Sequence, residues 1–166
     1  MANLFDHNAL VEAALGRYVG LSVQAAQQIS DMPNSEQQFE SLTKVIKALN
    51  WIAAEIAVRK LEEYGELAIE PLTALLPDCD PMVQVSVVRA LARIGDLRAV
   101  PVFREVLAQT EFAMLRFMII EALGEFGDTA SIELIQSFAD DPDRHVRKRV
   151  TNALSNLQIA RSIAPD

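Results

Sequence analysis

The chain has 166 residues, enough for one domain with its own core, and 51% of them are apolar. Its 15 Lys and Arg against 23 Asp and Glu give a formal net charge of −8, which disfavours binding to nucleic acid phosphates. The single cysteine, Cys79, excludes an internal disulfide framework and an all-thiolate zinc site. The N-terminus lacks a secretory pattern, and no segment reaches the ~18 consecutive apolar residues of a membrane span. We therefore expect a soluble, cytoplasmic protein.

The N-terminal third does not repeat, and we predict that residues 1–49 form a helical pair that caps one end of the helices that follow. Residues 8–29 have the pattern of one long helix, which ends at residues 31–35. Ser35 and Gln38 have the spacing of a capping box, which predicts the start of another helix. Asn50 is a candidate N-cap for the next one. The alternative is a single helix from Ser35 to Tyr64, because neither Gly nor Pro intervenes.

From residue 50 onward the sequence repeats with a period of 30 to 32 residues. Gly65, Gly95 and Gly127 occupy equivalent positions, and a leucine precedes each of them by four residues. This period is too long for a heptad and is typical of a unit of two short helices. A fourth, truncated copy ends at Leu157, and we expect residues 158–166 to fray.

Each unit has the same internal pattern. The first helix carries apolar residues at helical spacing, shown in the third copy by Leu115, Ile119, Ala122, Leu123 and Phe126. The glycine that follows suits the left-handed residue that commonly ends a helix. An acid then precedes the second helix, and Pro71 and Pro101 lie in the first turn of that helix. The sequence thus predicts an all-α fold, an α-solenoid with about three and a half two-helix repeats over residues 50–157.

Two segments make the pattern more specific. The sequences from Asp141 to Leu154 and from Ala90 to Pro101 resemble HEAT-like repeats of the phycobilisome-lyase type, and the resemblance extends over roughly residues 50–157. It implies the solenoid fold. Some members of that family attach or remove bilin chromophores on phycobiliproteins, whereas others act as chaperones, degradation adaptors or scaffolds.

Residue types that commonly perform catalysis do not form a recognisable constellation in this sequence. His7 and His145 are the only histidines, and we interpret His145 as a surface residue in a basic stretch. Cys79 lies between Asp78 and Asp80, whose charges disfavour a reactive thiolate. The common motifs of zinc proteases, phosphate loops and serine hydrolases are missing. We therefore predict no catalytic residue, no metal site and no cofactor, with a bilin entering only if the chain is a lyase.

Positively charged residues form two notable groups: a pair of arginines at one repeat position and a basic patch. Arg116 and Arg147 share one repeat position. We predict that they reach the acids Asp96 or Asp128 of a neighbouring unit, and the alternative is ligand binding. The only basic patch consists of Arg144, Arg147, Lys148 and Arg149. We interpret it as a solvated terminal face, and the alternative is a docking site for an acidic partner or bilin propionates.

Four apolar residues are predicted to point away from the core. At ~100° per residue, Met114 and Phe117 lie on the side of their helix opposite Ile119, and the preceding repeat has Met82 and Val85 at the same positions. Contiguous exposed apolar surface usually marks an interface, and methionine adapts to varied partners. We predict a patch for partner binding or self-association; the alternatives are that the N-terminal helices cover it or that these are ordinary surface residues.

These features together predict a non-catalytic HEAT-repeat scaffold or adaptor that binds a protein partner. The family resemblance implies that this partner belongs to phycobiliprotein assembly or turnover. The alternative is a bilin lyase, or a lyase subunit that attaches or removes a chromophore together with a second HEAT-like chain. No nucleic acid partner and no membrane span are expected, and the sequence leaves homo-oligomerisation open.

Overall fold

A computed structural model describes residues 7–16, 19–47 and 50–163. This part of the chain contains ten α-helices and no strand. The helices are α1 His7–Leu15, α2 Val19–Ser30, α3 Glu36–Val45, α4 Trp51–Glu62, α5 Ile69–Leu75, α6 Pro81–Ile94, α7 Val100–Gln109, α8 Ala113–Glu125, α9 Ile132–Gln136 and α10 Arg144–Ile163. The chain divides into two compact units, Met1–Ile94 and Gly95–Asp166.

The single helix predicted for residues 8–29 is wrong. Helix α1 ends at Leu15, α2 begins at Val19, and the two helices pack against each other. The backbone bends at Gly16, whose N–H donates to the Ala13 carbonyl at 3.2 Å in a turn tighter than an α-helix. Glycine is a poor helix former, so it ends α1 at little cost. The helical pair predicted for residues 1–49 is therefore three helices.

The start of α3 is capped as predicted, but the capping box is only half formed. Ser35 Oγ accepts a hydrogen bond from the Gln38 backbone N–H at 3.1 Å. The Gln38 side chain does not return to Ser35 and instead lies fully buried. Its Nε2 donates to the carbonyls of Ile29, Ser30 and Met32 at 2.7–3.1 Å. Gln38 thus satisfies orphan carbonyls at the end of α2 and ties α3 to it.

The alternative of one helix from Ser35 to Tyr64 is wrong. Helix α3 ends at Val45, and α4 begins at Trp51. Asn50 is the predicted N-cap, since its Oδ1 accepts a hydrogen bond from the Ile52 N–H at 3.0 Å. Its side-chain amide also donates to Ser22 Oγ at 2.8 Å, which links α4 to α2. A polar residue that serves two helices at once explains why the chain breaks here without Gly or Pro.

In the first unit, α2, α4 and α6 are successive neighbours, and α1, α3 and α5 pack against them. The apolar faces of these helices supply the core; its fully buried large residues include Ile29, Leu42, Ile46, Leu61, Leu72, Leu76 and Leu91. Each such side chain contributes about 1.5–3 kcal/mol through its removal from water. Helices α2 and α3 of the predicted N-terminal cap thus pack against α4, the first helix of the repeats.

In the second unit, α8 packs against α7 and α10, and α9 packs against α10. Phe103 is fully buried and its ring stacks on Phe126 at 6.1 Å between centroids. Helix α10 continues to Ile163, beyond the predicted end of the last repeat at Leu157. Residues 164–166 lie outside the described part of the chain.

The three repeat glycines have the left-handed backbone that their positions predicted. Their φ angles are +57° at Gly65, +76° at Gly95 and +67° at Gly127. A side chain strains this conformation, which explains why the same residue type recurs at each helix end. The recurring glycines therefore mark the turn that follows the first helix of each repeat.

Candidate functional site

Helices α8 and α10 of the second unit form a shallow, mostly apolar pocket of about 390 Å³. Its lining residues are Met114, Phe117, Asp143, His145 and Val146, and we call it the α8–α10 pocket. Helical geometry builds it, because burying Leu115 and Ile119 turns Met114 outward, where 52% of its surface is exposed. Phe117 is half-buried. The pocket is large enough for a bulky apolar side chain.

The Phe117 ring is not a free anchor. The Arg149 guanidinium lies 4.3 Å from its centroid, a cation–π contact. The same guanidinium is held by Glu121, with Nη1 2.5 Å from Oε1. Arg149 therefore partly covers Phe117 and fixes its orientation beside the pocket.

The carboxylate in the pocket belongs to the start of α10. Asp143 Oδ1 accepts hydrogen bonds from the backbone N–H groups of His145 at 2.7 Å and Val146 at 3.4 Å. The His145 N–H is the main cause that lowers the pKa of Asp143 below its ordinary value, and burial acts in the opposite direction. The charge of Asp143 is thus partly balanced by the positive helix end.

The four residues of the predicted basic patch have different surroundings. Arg147 Nη1 donates to the backbone carbonyls of Asp141 and Pro142 at 2.6 and 3.1 Å, and Arg149 is held by Glu121. Arg144 and Lys148 are exposed at the beginning of α10. The positive charge presented to solvent beside the α8–α10 pocket therefore comes from Arg144 and Lys148, together with exposed Arg147, whose carbonyl partners carry no counter-charge.

The prediction that Arg116 and Arg147 reach Asp96 or Asp128 is wrong. Arg116 Nε lies 2.7 Å from Asp141 Oδ2, and the two side chains are 10% and 3% exposed. Arg147 binds the backbone at the same Asp141. Both arginines thus bind the loop just before α10, and Asp143 of this loop lines the pocket.

The repeat position of Arg116 and Arg147 has a common structural role. Gln84, its equivalent in the preceding repeat, donates to the Leu76 and Pro77 carbonyls at 2.9 and 3.4 Å. Each side chain at this position therefore donates to backbone carbonyls of the loop that precedes its own helix. The sequence showed the shared position, but only the structure shows that the target is a backbone loop.

Asp128 is held by a different arginine of the second unit. Arg104 Nε donates to Asp128 Oδ2 at 2.8 Å, and the Ser131 hydroxyl donates to the same oxygen. Burial favours the neutral acid, but the hydrogen bonds from Arg104 and Ser131 outweigh it and lower the pKa of Asp128. The acid after the glycine thus connects α7 to the turn before α9.

This lowered pKa predicts how Asp128 affects stability as the pH changes. With a folded pKa below the unfolded value of ~3.9, the stabilisation is present at neutral pH and is lost as the pH falls through the folded pKa. We expect Asp128→Asn to lower the free energy of unfolding at pH 7 by about 1–2 kcal/mol. That deficit should shrink below pH ~4. Urea unfolding followed by circular dichroism between pH 7 and 3 measures it. Exposed Asp140→Asn is the control, and a deficit independent of pH would contradict the prediction.

The other half of the predicted apolar patch lies on α6 in the first unit. Met82 is 44% exposed and Val85 is half-buried. Met114 and Phe117 belong to the second unit, so the four-residue patch stays a prediction.

Beside these residues, Arg89 and Arg93 of α6 pair with Glu55 and Glu62 of α4, each at 3.4 Å. These partners are 34 and 31 residues apart, close to the repeat period. That spacing is the sequence signal that could have predicted the ion pairs.

The remaining candidate reactive residues are Cys79 and His7. Burial, and then the charge of Asp78, raise the pKa of Cys79 to about 11, which agrees with the predicted unreactive thiol. The sequence had indicated only the carboxylates as the cause. The His7 side chain lies outside the described residues.

Over residues 7–16, 19–47 and 50–163, no three His, Cys, Asp or Glu side chains lie close enough to hold a metal ion. No described helix is both long and apolar enough to span a membrane.

The sequence matches the family model described as HEAT repeats over residues 39–117 and 105–165. The chain belongs to the HEAT repeat family. The predicted fold class, an all-α solenoid of stacked two-helix HEAT-like repeats, is confirmed. The match begins inside α3, so the HEAT pattern includes part of the predicted N-terminal cap.

The names of two curated relatives refer to phycocyanin or its bilin. The chain is 28% identical over 122 residues to the uncharacterized phycocyanin operon protein Z of Pseudanabaena tenuis, covering 72% of this HEAT chain and 60% of that protein. It is 31% identical over 113 residues to phycocyanobilin lyase subunit alpha of a Picosynechococcus species, covering 61% and 42%. The chain thus spans less than two thirds of either relative.

Solved structures show the same fold. The complex of CpcE and CpcF of phycocyanin lyase from a Nostoc species matches with a TM-score of 0.66 at 19% identity, over 98% of this chain and 70% of that one. Human deoxyhypusine hydroxylase matches with a TM-score of 0.63 at 22% identity, over 92% and 62%. Proteins with different chemistry therefore share this HEAT architecture, and the fold alone does not define an activity.

Proposed function

We propose that this chain is a protein-binding HEAT-repeat module that acts in the cytoplasm on a phycobiliprotein, as a scaffold in its assembly or turnover. The observation that carries the proposal is the α8–α10 pocket, an apolar depression beside the exposed Met114. The relationship to a phycocyanin operon protein and to a phycocyanobilin lyase subunit supports the choice of partner.

The pocket suits binding better than chemistry. Its apolar lining offers an anchor for a partner side chain, and buried anchors carry most of the affinity in protein interfaces. Its two titratable residues are the exposed His145 and Asp143, which is bound to the α10 N-terminus. A general acid–base pair needs two groups aimed at a shared reacting atom, and this carboxylate is already engaged.

A second candidate is a bilin lyase subunit that works with another HEAT-like chain. It is favoured by the 31% identity to phycocyanobilin lyase subunit alpha. The phycocyanin lyase that shares the fold is a complex of two chains, so a second HEAT-like chain is a natural partner. In this case the bilin would be shared with that chain or with the phycobiliprotein.

Affinity capture with purified proteins tests both candidates. The tagged chain is mixed with apo-phycocyanin α or β subunits, with and without phycocyanobilin and the lyase subunits of the same organism. A scaffold should retain a phycocyanin subunit and leave its pigment unchanged. A lyase subunit should yield covalent, zinc-fluorescent chromoprotein only when its partner chain is present. Retention of no phycocyanin subunit and of no lyase chain would reject the proposed function.

Substitutions in the pocket should weaken that capture. We expect Met114→Lys with Phe117→Glu to reduce affinity for the retained subunit at least tenfold, roughly the loss of one apolar anchor. The helical circular dichroism signal should stay unchanged. Leu97→Lys is the matched control, because Leu97 is an exposed apolar residue of the same unit that does not line the pocket. Unchanged capture by the double variant would exclude the pocket as the binding surface.

A further inference from the structure

The geometry points to the chemistry of the segment that the α8–α10 pocket receives. We infer that it takes one bulky apolar side chain from a partner segment that carries acidic residues beside that side chain. This inference rests on the proposed function, since it specifies the partner of the same surface.

The apolar half of the inference comes from the lining. Val146 is fully buried below the pocket and Phe117 is held beside it by Arg149, so both have defined positions. Met114 is half exposed, and its flexible thioether can adapt to the shape of an inserted side chain. The floor is therefore preorganised and one wall is adaptable, which suits a leucine-sized or aromatic anchor.

The acidic half comes from the repeat register. His145 and Lys148 of α10 stand 31 residues after Met114 and Phe117, so they occupy the same repeat positions. Because α10 packs against α8, the apolar surface of one repeat is bordered by polar and cationic side chains of the next. Exposed Arg144, one turn before Lys148, adds a second positive charge.

Most carboxylates near this positive rim are engaged by other groups, and Asp140, exposed just before α10, is the exception. Asp143 accepts two backbone N–H groups, Glu121 pairs with Arg149, and Asp141 pairs with the buried Arg116. Each of these acids already has a partner. Arg144 Nε donates to His145 Nε2 at 3.3 Å, and neither Arg144 nor Lys148, both exposed, forms an ion pair with a carboxylate of the described residues. A basic partner segment would be repelled by them, and an uncharged one would leave them without a counter-charge.

Fluorescence anisotropy with labelled ten-residue peptides tests the inference at peptide concentrations up to ~1 mM, the range of a single weak anchor. The first peptide has a central leucine flanked by glutamates. In the second, alanine replaces the leucine, and in the third, lysines replace the glutamates. The first peptide should bind most tightly, by about tenfold, with an affinity that falls as NaCl is added.

Charge reversal on the protein tests the same rim. Arg144→Glu with Lys148→Glu should weaken binding of the first peptide about tenfold. Lys44→Glu with Lys47→Glu, an equal charge change at exposed residues outside the pocket, should not.

Equal binding of the glutamate and lysine peptides, or no response to the Arg144 and Lys148 reversal, would overturn the inference. Absence of binding by the glutamate peptide would also overturn it. If phycocyanin capture still depends on Met114 and Phe117 in that case, the proposed function stands and only the acidic partner segment is rejected. If the peptide binds but no phycocyanin subunit or lyase chain is captured, the proposed function fails and the peptide preference stands.

Discussion

Asp141→Ala is expected to lower the free energy of unfolding by about 3–5 kcal/mol, because it leaves the Arg116 guanidinium buried without its counter-charge. Arg116 Nε lies 2.7 Å from Asp141 Oδ2, and both side chains are almost fully buried. The carboxylate also accepts the Asp143 N–H at 2.8 Å, so the loop before α10 loses a second bond. Urea unfolding at pH 7, followed by circular dichroism, measures the loss.

Two further variants show whether the buried charge is the cause. Asp140→Ala removes the neighbouring exposed carboxylate, and we expect a change within about 0.5 kcal/mol. Arg116→Met combined with Asp141→Asn removes both charges, so it should be more stable than Asp141→Ala alone. A loss in Asp141→Ala no larger than that of Asp140→Ala would show that the pair contributes little to stability.

Gly124→Val should destabilise the protein by about 2–3 kcal/mol through overpacking between α8 and α10. An ideal Cβ at Gly124 would lie 2.9 Å from Ala153 Cβ and 3.0 Å from Ala153 Cα. Neither atom is the end of a flexible side chain, so the two helices must move apart. Thermal and urea unfolding both report this loss.

The control for Gly124 is another helical glycine. At Gly20 in α2, an ideal Cβ meets nothing within 4 Å, so Gly20→Val should leave stability unchanged or raise it slightly. The exchange of Gly124→Ala with Ala153→Gly keeps the volume between the helices and should be more stable than Gly124→Ala alone. Equal effects at Gly124 and Gly20 would mean that helix propensity, not the helix contact, determines the result.

Local signals in the sequence predicted much of the repeat. The turns after the first helices need a left-handed residue, so glycine at 65, 95 and 127 revealed both the period and the helix ends. The caps at Ser35 and Asn50 were equally readable, because an N-cap bonds to a backbone N–H two or three residues away. In both cases the interaction lies within one turn of the chain.

Predictions failed where the deciding partner is distant in sequence. Nothing near Gln38 indicates that its amide serves carbonyls at the end of α2, and so the reciprocal half of the capping box was wrongly expected. The repeat pattern likewise suggested Asp96 or Asp128 as the partner of Arg116, while the loop before α10 supplies Asp141. No sequence signal marked Gly124, although a Cβ added there would lie 2.9 Å from Ala153 Cβ of α10.

By itself the sequence determined the all-α class, the repeat length, the helix ends marked by glycine and the outward position of Met114, because helical periodicity and turn chemistry act over a few residues. Only the tertiary structure decided that the Arg149 guanidinium lies over the Phe117 ring and that Arg116 is buried against Asp141. It also decided that a pocket forms at Met114 and Phe117. These features depend on how two helices about 30 residues apart are placed against each other, and side-chain contacts between them are set by packing rather than by local propensity.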